Sequence, residues 1–523
     1  MKKIVVLLLV VSMLGACLVP ANLAFAADYN YSEALTKSIV FFDANRCGKD
    51  VATGNYFSWR GACHTSDGST VGKDLTGGFH DAGDHVKFGL PQAYAAATLG
   101  WTLYEFKDVL DATGNTQKML STLKLFTDYL LKCHPDPNTF YHQVGDGGAD
   151  HGYWGSPENQ TGTRPVKTAN PGSEVTGLTS AALSIMYLNY KNIDAAYANK
   201  CLAAAKTLYA KAKTNPGFYD EQSFYASGSI YDDMAWAAVW LYIIEKNETY
   251  LAEAEVNVTK RNKYNDDPFQ HKWTMCWDDM YLPVHYKLME ITGKQIYKDA
   301  LNFSFNYWMN SLAKTPGGLR YLHNWGVLRY ASAEAMLALL YYKHTNDEKL
   351  KTFAKSQIDY ALGSNPLNMS YIIGMGTKWP KHPHHRAAHP VMGAPEAKYE
   401  LTGSLIGGPN ATDQFIDDIN QYQYTEVAID YNASFVGAAA GMVKYFGNVV
   451  IPSPSPSPTF KLGDLNDDGA IDSTDVTLLK RRVLGIPATI NEKAADLNKD
   501  GLVNSTDYTI LKRVVLRIIP APV

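Results

Sequence analysis

Apolar residues recur at three- and four-residue steps along most of the chain, and that period predicts helix after helix. Clear instances are Pro91–Phe106, Gln117–Lys132, Glu174–Tyr190, Ala195–Lys213, Asp233–Glu245, Leu282–Thr292, Ala331–Lys343 and Ala433–Phe446. Several are apolar almost all round, as helices enclosed by other helices would be. Between them run stretches rich in Gly, Pro, Asn and Asp, which hold most of the His, Trp and carboxylate clusters. Long loops in a compact domain are usually functional. About a dozen helices in roughly 420 residues suit an all-α fold of the α/α barrel type; a helical solenoid is the other architecture with this pattern.

The pattern breaks in two places. Met1-Lys2-Lys3, an apolar run from Ile4 to Val19, and Ala24-Phe25-Ala26 read as a secretory signal, residues 1–26, cleaved so that the mature chain begins near Ala27. The segment ending in Cys17 also resembles a lipoprotein cleavage box, which would leave a lipid there. No other run is long and apolar enough to span a membrane. Alternating Pro and Ser from Pro452 to Pro458 make an extended linker, 449–459, between a large unit, 28–448, and a small one, 460–523.

Composition adds exclusions. The chain of 523 residues is 46% apolar and 19% charged, unlike a disordered chain or a coiled coil. Its net charge of −4 offers no basic surface for nucleic acid. Aromatics reach 12%, which suits both a large core and stacking on sugar rings. With Cys17 in the signal, Cys47, Cys63, Cys133, Cys201 and Cys276 remain, too few and too odd in number for a disulfide scaffold.

The small unit is a duplication. Asp464–Gly469 recurs as Asp496–Gly501, 32 residues on, and Ser473-Thr474-Asp475 recurs as Ser505-Thr506-Asp507. Oxygen-bearing side chains fall at loop positions 1, 3, 5, 9 and 12: Asp464, Asn466, Asp468, Asp472 and Asp475, then Asp496, Asn498, Asp500, Asn504 and Asp507. Gly469 and Gly501 stand at position 6. This is the EF-hand spacing for Ca²⁺, with Asp rather than the usual Glu at position 12. One loop and one helix per repeat, duplicated after a Pro/Ser linker, resemble a type I dockerin. The resemblance implies two Ca²⁺ ions and Ca²⁺-dependent docking onto a cohesin of a cellulosome scaffold. The docking residues it implies are Ser473, Thr474, Lys480 and Arg481, and in the second copy Ser505, Thr506, Lys512 and Arg513. The near-symmetry would permit two binding orientations.

In the large unit, Gly77–Phe88 sets Asp81 and Asp84 three residues apart in a glycine-flanked loop, a pair able to hold and deprotonate a water. Such a pair alone is more often a solvated turn or a metal site. Three stretches together are more specific: Asp81–Asp84; Ser370–Gly376 continuing through Lys378 to Pro383–Arg386; and Phe415, Asp417, Tyr422, Glu426, Ala428, Asn432 and Ala433. They resemble glycoside hydrolase family 9, the inverting cellulases, over about 31–447. Ile373 departs from the family pattern, where a hydroxyl residue or Val is usual.

The resemblance implies an (α/α)6 barrel with an open cleft and β-1,4-glucan as substrate. Asp84 would be the general base, Asp81 would help hold the water, Glu426 would be the general acid, and Asp417 would support the site. His384 and Arg386 would bind sugar at the cleavage point. His151, Trp154, Tyr231, Trp277, Trp325 and Tyr422 match cleft features. Trp236 and Trp240, four apart on an apolar helix, suit the core better. Inverting chemistry needs one ionised and one protonated carboxyl, about 6.5–9.5 Å apart.

Cys47, Cys63, His64 and His80 would complete a tetrahedral Zn²⁺ shell, and the resemblance favours a structural zinc; a Cys47–Cys63 disulfide is the alternative in a secreted chain. Gly228, Ser229, Asp232, Asp233 and Asp278, with Asp279 beside them, resemble a family Ca²⁺ site at slightly different spacing; acids favouring a helix N-terminus are the alternative. The expectation is a secreted, extracellular, cellulosome-associated endo-β-1,4-glucanase. A non-catalytic carbohydrate-binding subunit would require the loss of Asp84 or Glu426. Catalytic zinc would require an open coordination position, which four protein ligands deny. No separate cellulose-binding region is recognisable, so endo rather than processive action is expected.

Overall fold

The computed structural model describes residues 29–220, 224–447, 461–498 and 502–520. The signal segment and the linker lie outside the described residues, as does Asp500. Two compact units divide at positions 451/452.

Among the described residues, twelve helices of ten residues or more build the large unit: α1 Tyr31–Val40, α2 Gly89–Glu105, α3 Thr116–Cys133, α4 Ser173–Tyr190, α5 Ala195–Thr214, α6 Tyr231–Glu245, α7 Glu248–Asn257, α8 Tyr281–Thr292, α9 Gln295–Asn306, α10 Val327–Thr345, α11 Glu348–Leu362 and α12 Ile429–Phe446. The even-numbered helices each pack on the next even-numbered one, and α12 packs back on α2. The ring therefore closes, which distinguishes a barrel from a solenoid. The odd-numbered helices form the outer layer, each against an inner one, with α1 against α12. This is the (α/α)6 barrel.

Sequence and layer agree. Inner helices are buried nearly all round: Leu90 to Leu103 of α2 lie in the core, as do Ile429 to Val443 of α12. Outer helices bury one face only; α3 buries Met119, Leu123, Phe126 and Leu130 and leaves the opposite face wet. Trp236 and Trp240 are fully buried and meet edge to face with ring centroids 5.3 Å apart. Small residues set the inner spacing. A Cβ added at Gly441 of α12 would lie 2.7 Å from Leu339 Cδ1 and 3.0 Å from Leu339 Cβ of α10.

A small antiparallel sheet covers the end of the barrel at which the inner helices begin. Its strands, β1 Lys87–Phe88, β2 Tyr141–Val144 and β3 Val166–Thr168, pair in that order, Lys87 opposite Val144 and Val144 opposite Val166. No described helix is long and apolar enough to cross a membrane.

In the small unit α13 Ser473–Val483 and α15 Ser505–Val515 pack on each other, with the short α14 Glu492–Ala495 between them in sequence. Leu465, Leu479, Ala495, Leu497 and Leu511 form its core. Each repeat helix begins with a reciprocal cap, Asp472 with Asp475 and Asn504 with Asp507.

Gly441→Ala should overpack the α10–α12 seam and cost about 1–3 kcal/mol. The denaturant midpoint of the barrel transition measures it, and an unchanged midpoint would show that the seam is loose.

Candidate active site

The loop from Gly77 to Val86 enters α2 through β1, and it is held from three directions. Asn45 Nδ2 donates to the His80 and Ala82 carbonyls at 3.1 and 3.0 Å. The Arg386 amide donates to the Gly83 carbonyl at 2.8 Å, and the Ile429 amide donates to the Asp81 carbonyl at 3.0 Å. Gly83 is required by contact: a Cβ there would sit 1.8 Å from the His384 carbonyl oxygen.

A cavity of about 680 Å³ opens at this end of the barrel. Asp81, Asp84 and Glu426 all line it, with His151, His384 and Arg386. Trp277, Trp325 and Tyr422 add aromatic wall. Trp325 and Tyr422 remain 39% and 41% exposed, large for aromatic side chains, and their ring centroids are 5.0 Å apart. Trp154 stands beside His384, centroids 5.1 Å apart, with the Arg386 guanidinium 4.8 Å over its ring. Tyr231 is not among the lining residues; it opens α6, its amide bonded to Ser229 Oγ. Asp417 is not among them either. It accepts the Lys381 and His382 amides at 2.7 and 3.0 Å and so holds the strand of loop leading to His384.

His151 Nε2 donates to Asp84 Oδ2 at 2.8 Å, and that hydrogen bond raises the His151 pKa. Burial pushes the Asp81 pKa well up, and the Asp84 charge adds to it. Tyr225 donates a short hydrogen bond to Asp81 Oδ2. Glu426 is also raised, chiefly by burial; hydrogen bonds from Trp325 Nε1 and Tyr431 Oη to Oε2, at 2.5 and 2.7 Å, pull in the other direction. His384 donates from Nδ1 to the Ile419 carbonyl at 2.6 Å and is pushed toward the neutral form by burial.

Sequence reasoning missed Tyr225, Arg329, Asp430 and Tyr431, all of which line the cavity. Asp430 and Tyr431 stand in the very motif that holds Glu426, between Ala428 and Asn432, so the signal was positional. Tyr225 lies 144 residues from Asp81, and no spacing links them.

Behind the loop, the Cys47, Cys63, His64 and His80 ligand atoms all lie within 4.8 Å of one another. All five described cysteines are free, so the Cys47–Cys63 disulfide is not formed. His64 Nδ1 is 3.6 Å from Cys47 Sγ and 3.0 Å from His80 Nε2, while His64 Nε2 is occupied by Gln160 Oε1 at 2.8 Å. The Cys47 thiol brings Cys63 down to about 7. At α6, Asp232 and Asp233 are fully buried, and neither Asp233 carboxylate oxygen has a hydrogen-bond partner. Burial pushes Asp232 and Asp278 up to about 7. Gly228 directs its amide at Asp278, and its carbonyl accepts from the Lys263 amide. The Ser229 hydroxyl pairs with Tyr281 at 3.0 Å, and its carbonyl accepts from Ser227.

The comparisons with known proteins agree with this geometry. The pattern of glycosyl hydrolase family 9 matches residues 31–439, and that of the dockerin type I domain matches residues 462–516. The chain belongs to glycosyl hydrolase family 9. It is a hydrolytic enzyme of the cellulase type with a C-terminal type I dockerin. Endoglucanase A of Bacillus pumilus is 42% identical over 465 residues, 84% of this chain and 70% of that protein. The cellulase Cel9M of C. cellulolyticum, solved with cellobiose, is 60% identical with a TM-score of 0.78, over 80% of this chain and 99% of that one. Endoglucanase CelQ of Clostridium thermocellum, solved with cellobiose and cellotriose, is 38% identical with a TM-score of 0.74, over 82% and 73%.

In the dockerin, Asp464 accepts the Asp468 and Gly469 amides, and Asp475 Oδ1 accepts the Leu465 amide at 2.7 Å; Asp507 Oδ1 accepts the Leu497 amide at 2.9 Å. Ser473, Thr474, Lys480 and Arg481 are exposed, as are Ser505, Thr506, Lys512 and Arg513.

Gly83→Ala should part the acidic loop from His384 and cost about 10²-fold in turnover, since displacement by an ångström at a reacting group has that effect. Rate on a soluble glucan, with circular dichroism for folding, tests it; wild-type turnover would show that the contact is not needed.

Proposed function

We propose that the chain is a secreted endo-β-1,4-glucanase that acts with inversion and is carried on a cellulosome scaffold. One observation carries the reading: Asp81, Asp84 and Glu426 line one cavity whose walls are exposed aromatic rings. Flat apolar faces beside carboxylates suit a chain of glucosyl rings, which present apolar faces and hydroxyl edges. The cello-oligosaccharides bound to the related solved cellulases are consistent with it.

In this reading Glu426, made a better proton holder by burial, protonates the departing glycosidic oxygen. Asp84, which accepts a hydrogen bond from His151, takes a proton from the attacking water. Asp81 orients that water. Attack by water on the face opposite the leaving group inverts the anomeric carbon. His384 and Arg386 hold the sugar at the cleavage point, and Trp154 acts through them. Rate should fall as pH rises through the Glu426 pKa, because the acid form is lost.

The four ligand atoms at Cys47, Cys63, His64 and His80 fit a structural Zn²⁺, with Gln160 fixing the His64 ring as an outer partner. His80 adjoins Asp81, so the metal would stiffen the loop that carries the base. The partnerless oxygens of Asp233 beside Asp232 and Asp278 fit a Ca²⁺ in the barrel. By the spacing of their oxygen-bearing residues the two dockerin loops would hold one Ca²⁺ each. The eight exposed residues on α13 and α15 form the cohesin-binding faces.

Glu426→Gln should lower turnover by about 10²–10⁴ and Asp84→Asn by at least as much. Proton NMR of the first product should show the α-anomer; the β-anomer would refute inversion. Elemental analysis of the full chain should find one zinc, and mass spectrometry showing a Cys47–Cys63 disulfide instead would overturn that site. Excess chelator should unfold the dockerin and end cohesin binding, and undiminished affinity would sink the docking assignment.

A further inference from the structure

Two segments lie side by side at the cavity, residues 325–329 leading into α10 and residues 426–430 leading into α12. They are joined by two rungs four residues apart. Trp325 Nε1 donates to Glu426 Oε2, and Arg329 Nη1 donates to Asp430 Oδ2 at 2.9 Å. Arg329 also lies 4.9 Å over the ring of Tyr431, whose hydroxyl donates to Glu426. Asp430 is 2% exposed, and the Arg329–Asp430 pair lies largely buried in the cavity wall. Burying such a pair is costly, and replacing it with apolar residues is often neutral or better for stability. Its presence one rung from the acid therefore asks for a reason other than stability.

The charge arithmetic supplies one. Arg329 alone would place a buried cation beside Glu426 and favour its carboxylate, which cannot donate a proton. We propose that Asp430 is a positioning residue that cancels the charge of Arg329 and thereby keeps Glu426 a proton donor. Arg329 is meanwhile free to hold Tyr431, and through it the Glu426 carboxyl, in place. The proposal rests on Glu426 being the general acid.

The groups that face Glu426 are few. From the acidic loop come Asp84, whose charge favours the protonated acid, and Asp81, which burial biases toward its neutral form. From the loop before α12 comes His384, biased toward neutral. From α12 come Asp430 and Tyr431, and from α10 comes Arg329, whose fixed positive charge pulls the Glu426 pKa down; Arg386 is the other fixed cation lining the cavity. Burial raises the Asp430 pKa, and Arg329 is the largest influence returning it toward the ionised form.

The test is the pH dependence of kcat on a soluble β-glucan for the full chain. In Asp430→Asn, Arg329 is unopposed, so the Glu426 pKa falls and the alkaline limb moves to lower pH by about one unit, the usual effect of one near charge. KM should change less than about twofold, since uniform binding is untouched. In the double variant Arg329→Gln with Asp430→Asn the local charge is again zero, and the limb should return toward the wild-type position. A purely structural role would lower kcat at every pH without moving the limb. An unmoved limb in a folded Asp430→Asn overturns the proposal. If that variant fails to fold, the double variant decides: a limb within a few tenths of wild type supports the proposal, and one displaced by a unit overturns it. Failure of the underlying assignment looks different, because Glu426→Gln would then keep its rate on the same glucan.

Discussion

Two backbone hydrogen bonds tie together stretches of chain that are hundreds of residues apart. The Asp81 carbonyl accepts from Ile429 at the start of α12, and the Gly83 carbonyl accepts from Arg386. They bring Asp84, the loop of His384 and Arg386, and Glu426 to one end of the barrel. Each depends on the ring of inner helices closing α12 against α2. Because Gly83 touches the His384 carbonyl with no room for a side chain, the loop has one seat. Side-chain geometry at the cavity follows from that backbone arrangement, since groups held on rigid elements lose little freedom on reaching the reacting position.

The same arrangement concentrates negative charge. Asp81, Asp84, Glu426 and Asp430 line one cavity with Arg329 and Arg386 as its fixed cations. Low dielectric and mutual repulsion then favour the neutral form of some of the acids. Burial makes Asp81 and Glu426 hold their protons more tightly, while Asp84 accepts from His151. Asp232, Asp233 and Asp278 repeat the theme at the start of α6, and the dockerin loops repeat it with their carboxylates bonded to backbone amides.

Much of this was legible in one dimension. The helical period marked eight long helices within a few residues of their ends, among them all six inner ones, because burial on every side leaves an unbroken apolar record. The outer helices α1, α7, α9 and α11 were passed over. Their one-sided faces, such as Tyr297, Ala300, Leu301 and Phe305 of α9, are diluted by polar residues, so the pattern is weaker. Short signatures located Asp81, Asp84, Glu426, His384 and Arg386, and the 32-residue duplication exposed the dockerin. Tyr231, a residue that the family resemblance puts among the cleft aromatics, opens α6 with its amide bonded to Ser229 Oγ and is not among the residues lining the cavity.

The sequence by itself marked the all-round apolar inner helices, the linker between the two units, and the acids and histidines that turn out to share one cavity, since period, linker composition and local spacing are properties of neighbours along the chain. Only the tertiary structure decided that the ring closes, that the five described cysteines are free with Cys47 and Cys63 facing two histidines, and that Tyr225 bonds Asp81. It alone paired Arg329 with Asp430, residues 101 positions apart that meet beside Glu426. Contacts of that kind arise from packing two helices side by side, and no local pattern records which side chains will face each other across the gap.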